Sequence, residues 1–87
     1  MQLLSITGRQ LRSARAAVGL SVRELATATG IGMATIVRYE ATTSKIIGQK
    51  AKLSTLLSFF ASAGIEFIGT PDDRPGIRIG RPPAQQE

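Results

Sequence analysis

Twenty residues, SVRELATATGIGMATIVRYE at positions 21–40, leave this chain little freedom in its local structure. Ser21 is a good N-cap, because its hydroxyl can accept from an orphan backbone N–H one turn on. Glu24 stands three residues later, where its carboxylate reaches back to the Ser21 N–H and completes a capping box. Leu20 and Leu25 fall at the N′ and N4 positions of a hydrophobic staple. Gly30 can adopt the left-handed conformation that ends a helix without a Cβ penalty. Ile31 then acts as an inward pivot. A second amphipathic segment runs from about residue 32 to 40 with Ile36 turned inward. Two short helices joined by a glycine elbow are the expectation.

The flanking sequence extends this pattern. Thr7 opens an earlier helix with Gln10 at N3, a second capping box, and Ile6 with Leu11 supplies a second staple. Leu11, Ala14, Ala17 and Val18 recur at helical spacing, and Gly19 closes that helix. Residues 41–48, ATTSKIIG, read as a loop with room for one turn. A longer helix is expected over about residues 49–63, with Leu53, Leu56, Leu57 and Phe60 on one face and Gly64 at its end. Phe59 cannot share that face, since neighbours on a helix diverge by about 100°.

After Gly64 the period changes from 3.6 to 2. Ile65-Glu66-Phe67-Ile68 and Ile77-Arg78-Ile79 alternate, separated by a turn-rich stretch at 69–76. This predicts a β-hairpin with a loose loop. A lone hairpin is marginal in water, so it must pack on the last helix or pair with another chain. The division expected is a helical domain at 1–64, a hairpin and dimerisation element at 65–80, and a disordered tail at 81–87.

Composition narrows the chemistry. The 87 residues contain no Cys and no His, which excludes disulfides, thiolate zinc sites and imidazole catalysis together. A chain this short buries about 60–65% of its unfolded surface, so a partner subunit would help it. Residues 1–52 carry eight basic side chains against two acidic ones, whereas residues 53–87 carry three against four. The positive field thus belongs to the half that holds the two-helix motif, as a phosphate-facing surface requires. The first six residues lack a charged n-region, and no apolar run approaches the length of a membrane span, so a cytoplasmic protein with no membrane partner is expected.

The second helix of the motif should present Met33, Ala34, Val37 and Arg38 to solvent, with Thr35 at the edge. In a DNA major groove Arg38 could bind guanine bidentately or a phosphate singly, and the apolar residues could meet thymine methyls. Gly32 and Ala34 permit close approach, and the first backbone N–H groups could hold a phosphate. Arg23, Thr42, Thr43 and Lys45 are candidate phosphate clamps. The less favoured alternative is that Met33 and Val37 form a second packing face or a subunit contact and that Arg38 is an ordinary solvated arginine.

Arg15, Gly19, Leu20, Ser21, Glu24, Leu25, Ala26, Gly30, Ile31, Ile36 and Glu40 together resemble the pattern of the phage-repressor/Cro class, the XRE-type helix-turn-helix proteins. The resemblance covers about residues 6–63. It implies a mainly α fold, a four- to five-helix repressor-like helix-turn-helix domain, here with a short C-terminal β-hairpin similar to that appended to some small bacterial members. It also implies binding of an operator in double-stranded DNA as a homodimer, and an ion pair between Arg15 and Glu40. Val22 stands where many members have Gln, Gly32 where Ser or Thr is usual, and the loop after Glu40 lacks the common Gly and Pro.

The resulting expectation is a DNA-binding transcription regulator, a repressor by preference. It reads DNA through residues 32–40 and dimerises through Phe59, Ile65, Phe67, Ile77 and Ile79. No cofactor, metal or catalytic residue is expected. The alternative is an antitoxin or antiactivator that keeps this fold and sequesters a protein partner. Catalysis is the weakest reading, since Glu24 and Glu40 have structural roles and no phosphate-binding glycine motif or metal cluster is present.

Overall fold

The computed structural model describes residues 5–81 and consists of four helices followed by an antiparallel hairpin. They are α1 (Gly8–Val18), α2 (Val22–Thr29), α3 (Met33–Glu40), α4 (Lys50–Ser62), β1 (Ile65–Thr70) and β2 (Asp73–Ile79). The expected tail lies, beyond Arg81, outside the described residues.

Both capping boxes are formed. Gln10 N donates to Thr7 Oγ1 at 3.1 Å while Thr7 N donates to Gln10 Oε1 at 2.8 Å. Glu24 N donates to Ser21 Oγ at 3.0 Å while Ser21 N donates to Glu24 Oε1 at 2.8 Å. Gly30 ends α2 at φ 76°, and its N–H returns to Ala26 O. This left-handed residue turns the chain within the span of Gly30, Ile31 and Gly32, and Ile31 drops into the core. The second motif helix starts at Met33, with Gly32 as its cap residue.

The core is one cluster: Ile6, Leu11, Ala14, Leu25, Ile31, Ile36, Tyr39, Ile46, Leu53, Leu56, Phe60 and Ile65. Truncating a fully buried member such as Leu25 or Leu56 should cost about 2–5 kcal/mol. Tyr39 belongs to this cluster although only its spacing of three from Ile36 hinted at it. The loop after α3 holds no helix, so the described residues contain four helices, within the expected four to five. It is tied down instead: Ile46 is buried, Ile46 N donates to Ile6 O at 2.9 Å, and Lys45 forms an isolated antiparallel bridge with Thr7.

The hairpin packs on α1 and α4, whereas α3 packs on α1 and α2. Its register places Ile65 opposite Ile79 and Phe67 opposite Ile77. The loop expected at 69–76 is largely zipped into the strands, leaving Pro71 and Asp72 as the turn. The register shift between Ile68 and Thr70 takes up the spare length, with Gly69 and Arg74 both at positive φ. The Phe67 ring meets Phe60 edge-on at 6.0 Å, and Phe59 meets Phe60 edge-on at 5.2 Å.

Of the expected interface set, Ile65 is buried in its own chain as part of the core, so it has little surface to offer a partner. Phe59, Phe67 and Ile77 are half-buried against the same core. Ile79, 65% exposed, is the member of that set left open to solvent.

Candidate nucleic-acid interface

The candidate surface is assembled on α3. At about 100° per residue, Ile36, Tyr39, Glu40 and Thr35 fall on one side of the helix, and Met33, Val37, Ala34 and Arg38 form a contiguous arc on the other. Ile36 and Tyr39 are buried, Thr35 and Glu40 are half-buried, and the four residues of the arc are exposed. Gly32 is exposed at the helix start and provides no side-chain cap. No side chain caps the first N–H groups of α3, which leaves them available to an anion at the helix start.

Arg23 is exposed on α2, and Thr43 and Lys45 are exposed in the loop after α3. Thr42 is half-buried, and its hydroxyl donates to Arg38 O at 3.3 Å. The backbone around Lys45 is fixed by the bridge to Thr7, so this cation is presented from an ordered strand-like segment.

Two features hold α3 in place. Arg15 Nε donates to Glu40 Oε2 at 2.7 Å and Arg15 Nη2 to Glu40 Oε1 at 2.9 Å, a bidentate pair. Arg15 Nη1 also donates to Leu20 O at 2.9 Å, so one guanidinium joins α1, the α1–α2 connection and the end of α3. The Glu40 hydrogen bonds raise the Arg15 pKa above the usual arginine value, while desolvation by burial opposes them. The second feature is Gly8. A Cβ there would lie 2.2 Å from Thr42 O, 2.5 Å from Tyr39 O and 2.8 Å from Glu40 O. The start of α1 thus presses directly on the carbonyl end of α3, which only glycine allows.

Gln10 has a role that sequence reasoning missed. Beyond its capping bond, Gln10 Nε2 donates to Ile68 O at 3.0 Å and to Gly76 O at 2.9 Å. These carbonyls lie on opposite strands beside the register shift. One buried amide therefore fixes the hairpin to the helix that supports α3. The capping box was the visible signal. Nothing local in sequence pointed to partners 58 and 66 residues away.

Among the described residues no group of acidic, His or Cys side chains could hold a metal ion, and no helix is long and apolar enough to cross a membrane.

A family model described as a helix-turn-helix domain matches residues 7–57, which span α1 to α3 and the first part of α4. The chain belongs to that family, and its class is that of DNA-binding domains of transcription regulators. Comparison with curated proteins and with solved structures gives no match.

Proposed function

We infer that this protein is a sequence-specific double-stranded-DNA-binding repressor of the XRE type, cytoplasmic, and working as a homodimer through α3. The observation that carries this reading is the exposed arc of Met33, Ala34, Val37 and Arg38, presented by a helix whose other side is locked by Ile36, Tyr39 and the Arg15–Glu40 pair. A rigid helix with one free face is what major-groove docking demands. Arg23, Thr43 and Lys45 are the phosphate contacts in this reading, with Thr42 helping to set the end of α3.

A binding role without catalysis is supported by how the acidic groups are employed. Glu40 pairs with Arg15, Glu66 with Arg78 and Asp73 with Arg74, while Glu24 caps α2. Dimerisation is supported by Ile79, an exposed aliphatic on a two-stranded sheet whose outer edges have no third strand among the described residues. The same exposure of Ile79 supports the second reading, in which the hairpin captures a different protein.

Selection of bound duplexes from a randomised pool by the purified chain, followed by footprinting upstream of its own gene, tests the assignment. A single enriched motif with two-fold symmetry is expected. Equal binding to all duplexes at moderate salt overturns sequence-specific reading.

A further inference from the structure

The exposed arc of α3 is chemically uneven. Val37 and Ala34 occupy its middle, with Met33 at one margin and Arg38 at the other. The Arg38 guanidinium carbon lies 5.7 Å from the centroid of the Tyr39 ring, so the one cation of this helix leans over its neighbour, beyond the margin of the arc. The middle of the face is left to side chains without a hydrogen-bonding group; Val37 is 54% exposed there, and Met33 beside it at the margin is 41% exposed. Of the base-edge features in a major groove, the one an aliphatic group can read is the C5-methyl of thymine. To read guanine, Arg38 would have to leave the Tyr39 ring and reach back across the arc, and the amino groups of adenine and cytosine would meet no strong acceptor on it.

Resting on the DNA-binding reading above, we propose that α3 reads sequence through thymine methyl groups, with Val37 and Met33 as the specificity-determining residues and Arg38 as a phosphate clamp. Four residues of α-helix rise about 6 Å. That is a little under two base steps of about 3.4 Å each. The two side chains therefore serve a pair of thymines no more than two steps apart. Ala34 keeps the backbone close enough for both contacts.

The test uses the full chain and the duplex it selects from a randomised pool. Each thymine is replaced singly by deoxyuridine, which removes the methyl and leaves base pairing intact. At the contacted thymines Kd should rise about fourfold, the worth of one buried methyl. Elsewhere it should not change. Val37→Ala, a change at an exposed position, should abolish the penalty at one of these thymines and leave the other. Arg38→Ala should weaken selected and unselected duplexes alike and lower the salt slope by about 1. Uracil tolerated at every position, with binding to the selected site intact, overturns methyl reading. Relaxed selection at one G·C pair in Arg38→Ala overturns the assignment of Arg38 as a phosphate clamp. A pool that yields no enriched sequence overturns the DNA-reading function itself, an outcome distinct from both.

Discussion

The guanidinium of Arg15 and the amide of Gln10 each tie together segments far apart in the sequence. Arg15 and Glu40 have side-chain exposures of 18% and 9%, so losing either partner leaves a charge with little water to turn to. Arg15→Ala and Glu40→Ala should each cost about 1–3 kcal/mol. The double variant should cost less than their sum by about 1 kcal/mol or more. Denaturant melts of the four proteins measure this, and additive losses would mean no coupling. Because the hydrogen bonds raise the Arg15 pKa, its contribution is present below the usual arginine range and lost only above it, so the coupling should be the same at pH 6 and pH 8. At Gln10, Glu in its place can still accept from Thr7 N but can donate to neither Ile68 O nor Gly76 O. Gln10→Glu should cost roughly 1–3 kcal/mol per carbonyl left unpaired. Amide exchange should rise in β1 and β2 before it rises in α2. Uniform exchange across the chain would contradict a latch at this residue.

At the scale of elements, the contrast between two glycines shows what positions α3. Ala is the better helix former at Gly8 by about 1 kcal/mol. Yet its Cβ would strike three backbone carbonyls at the end of α3. Gly8→Ala should therefore destabilise by about 1–3 kcal/mol. Gly32 has φ −62° and ψ 147°, ordinary for any residue, and a Cβ there would meet nothing within 4 Å. Gly32→Ser should restore the missing cap and stabilise by a few tenths of a kcal/mol. Thermal midpoints that move in opposite directions check both claims. The capping signals at Thr7, Gln10, Ser21 and Glu24 located α1 and α2 from sequence, because a cap is satisfied within one turn. The hairpin loop was harder. Pro71 and Gly76 bound a stretch rich in turn formers, and the Gln10 amide of α1 donates to carbonyls of both strands beside the register shift that zips most of it.

For the whole molecule, the hairpin is an integral part of the domain, since Ile65 completes the core and Gln10 binds both strands. Removing residues 65–87 should thus unfold the helical part rather than simply release a monomer. Ile79, 65% exposed, is the better probe of assembly. The intact chain should scatter light as a dimer at tens of micromolar. Ile79→Arg should scatter as a monomer with its thermal midpoint at low concentration unchanged. A monomeric intact chain would instead favour the hairpin as a dock for another protein. In the dimer the two α3 helices should meet half-sites about 34 Å apart, or roughly 10 base pairs.

The sequence by itself determined whatever rests on neighbours within a turn or on overall charge. Those features are the caps, the glycine helix ends, the inward Leu11, Leu25 and Ile36, and the positive field over residues 1–52. The outward arc of α3 followed from the same period. Tertiary structure alone decided which apolar residues were spare. Ile65 and Ile79 look equivalent as alternating strand residues, but the end of α4 covers one and leaves the other exposed. It also decided the second task of Gln10 and the need for glycine at position 8. Each depends on backbone atoms brought close by packing, and local sequence carries no record of contacts made dozens of residues away.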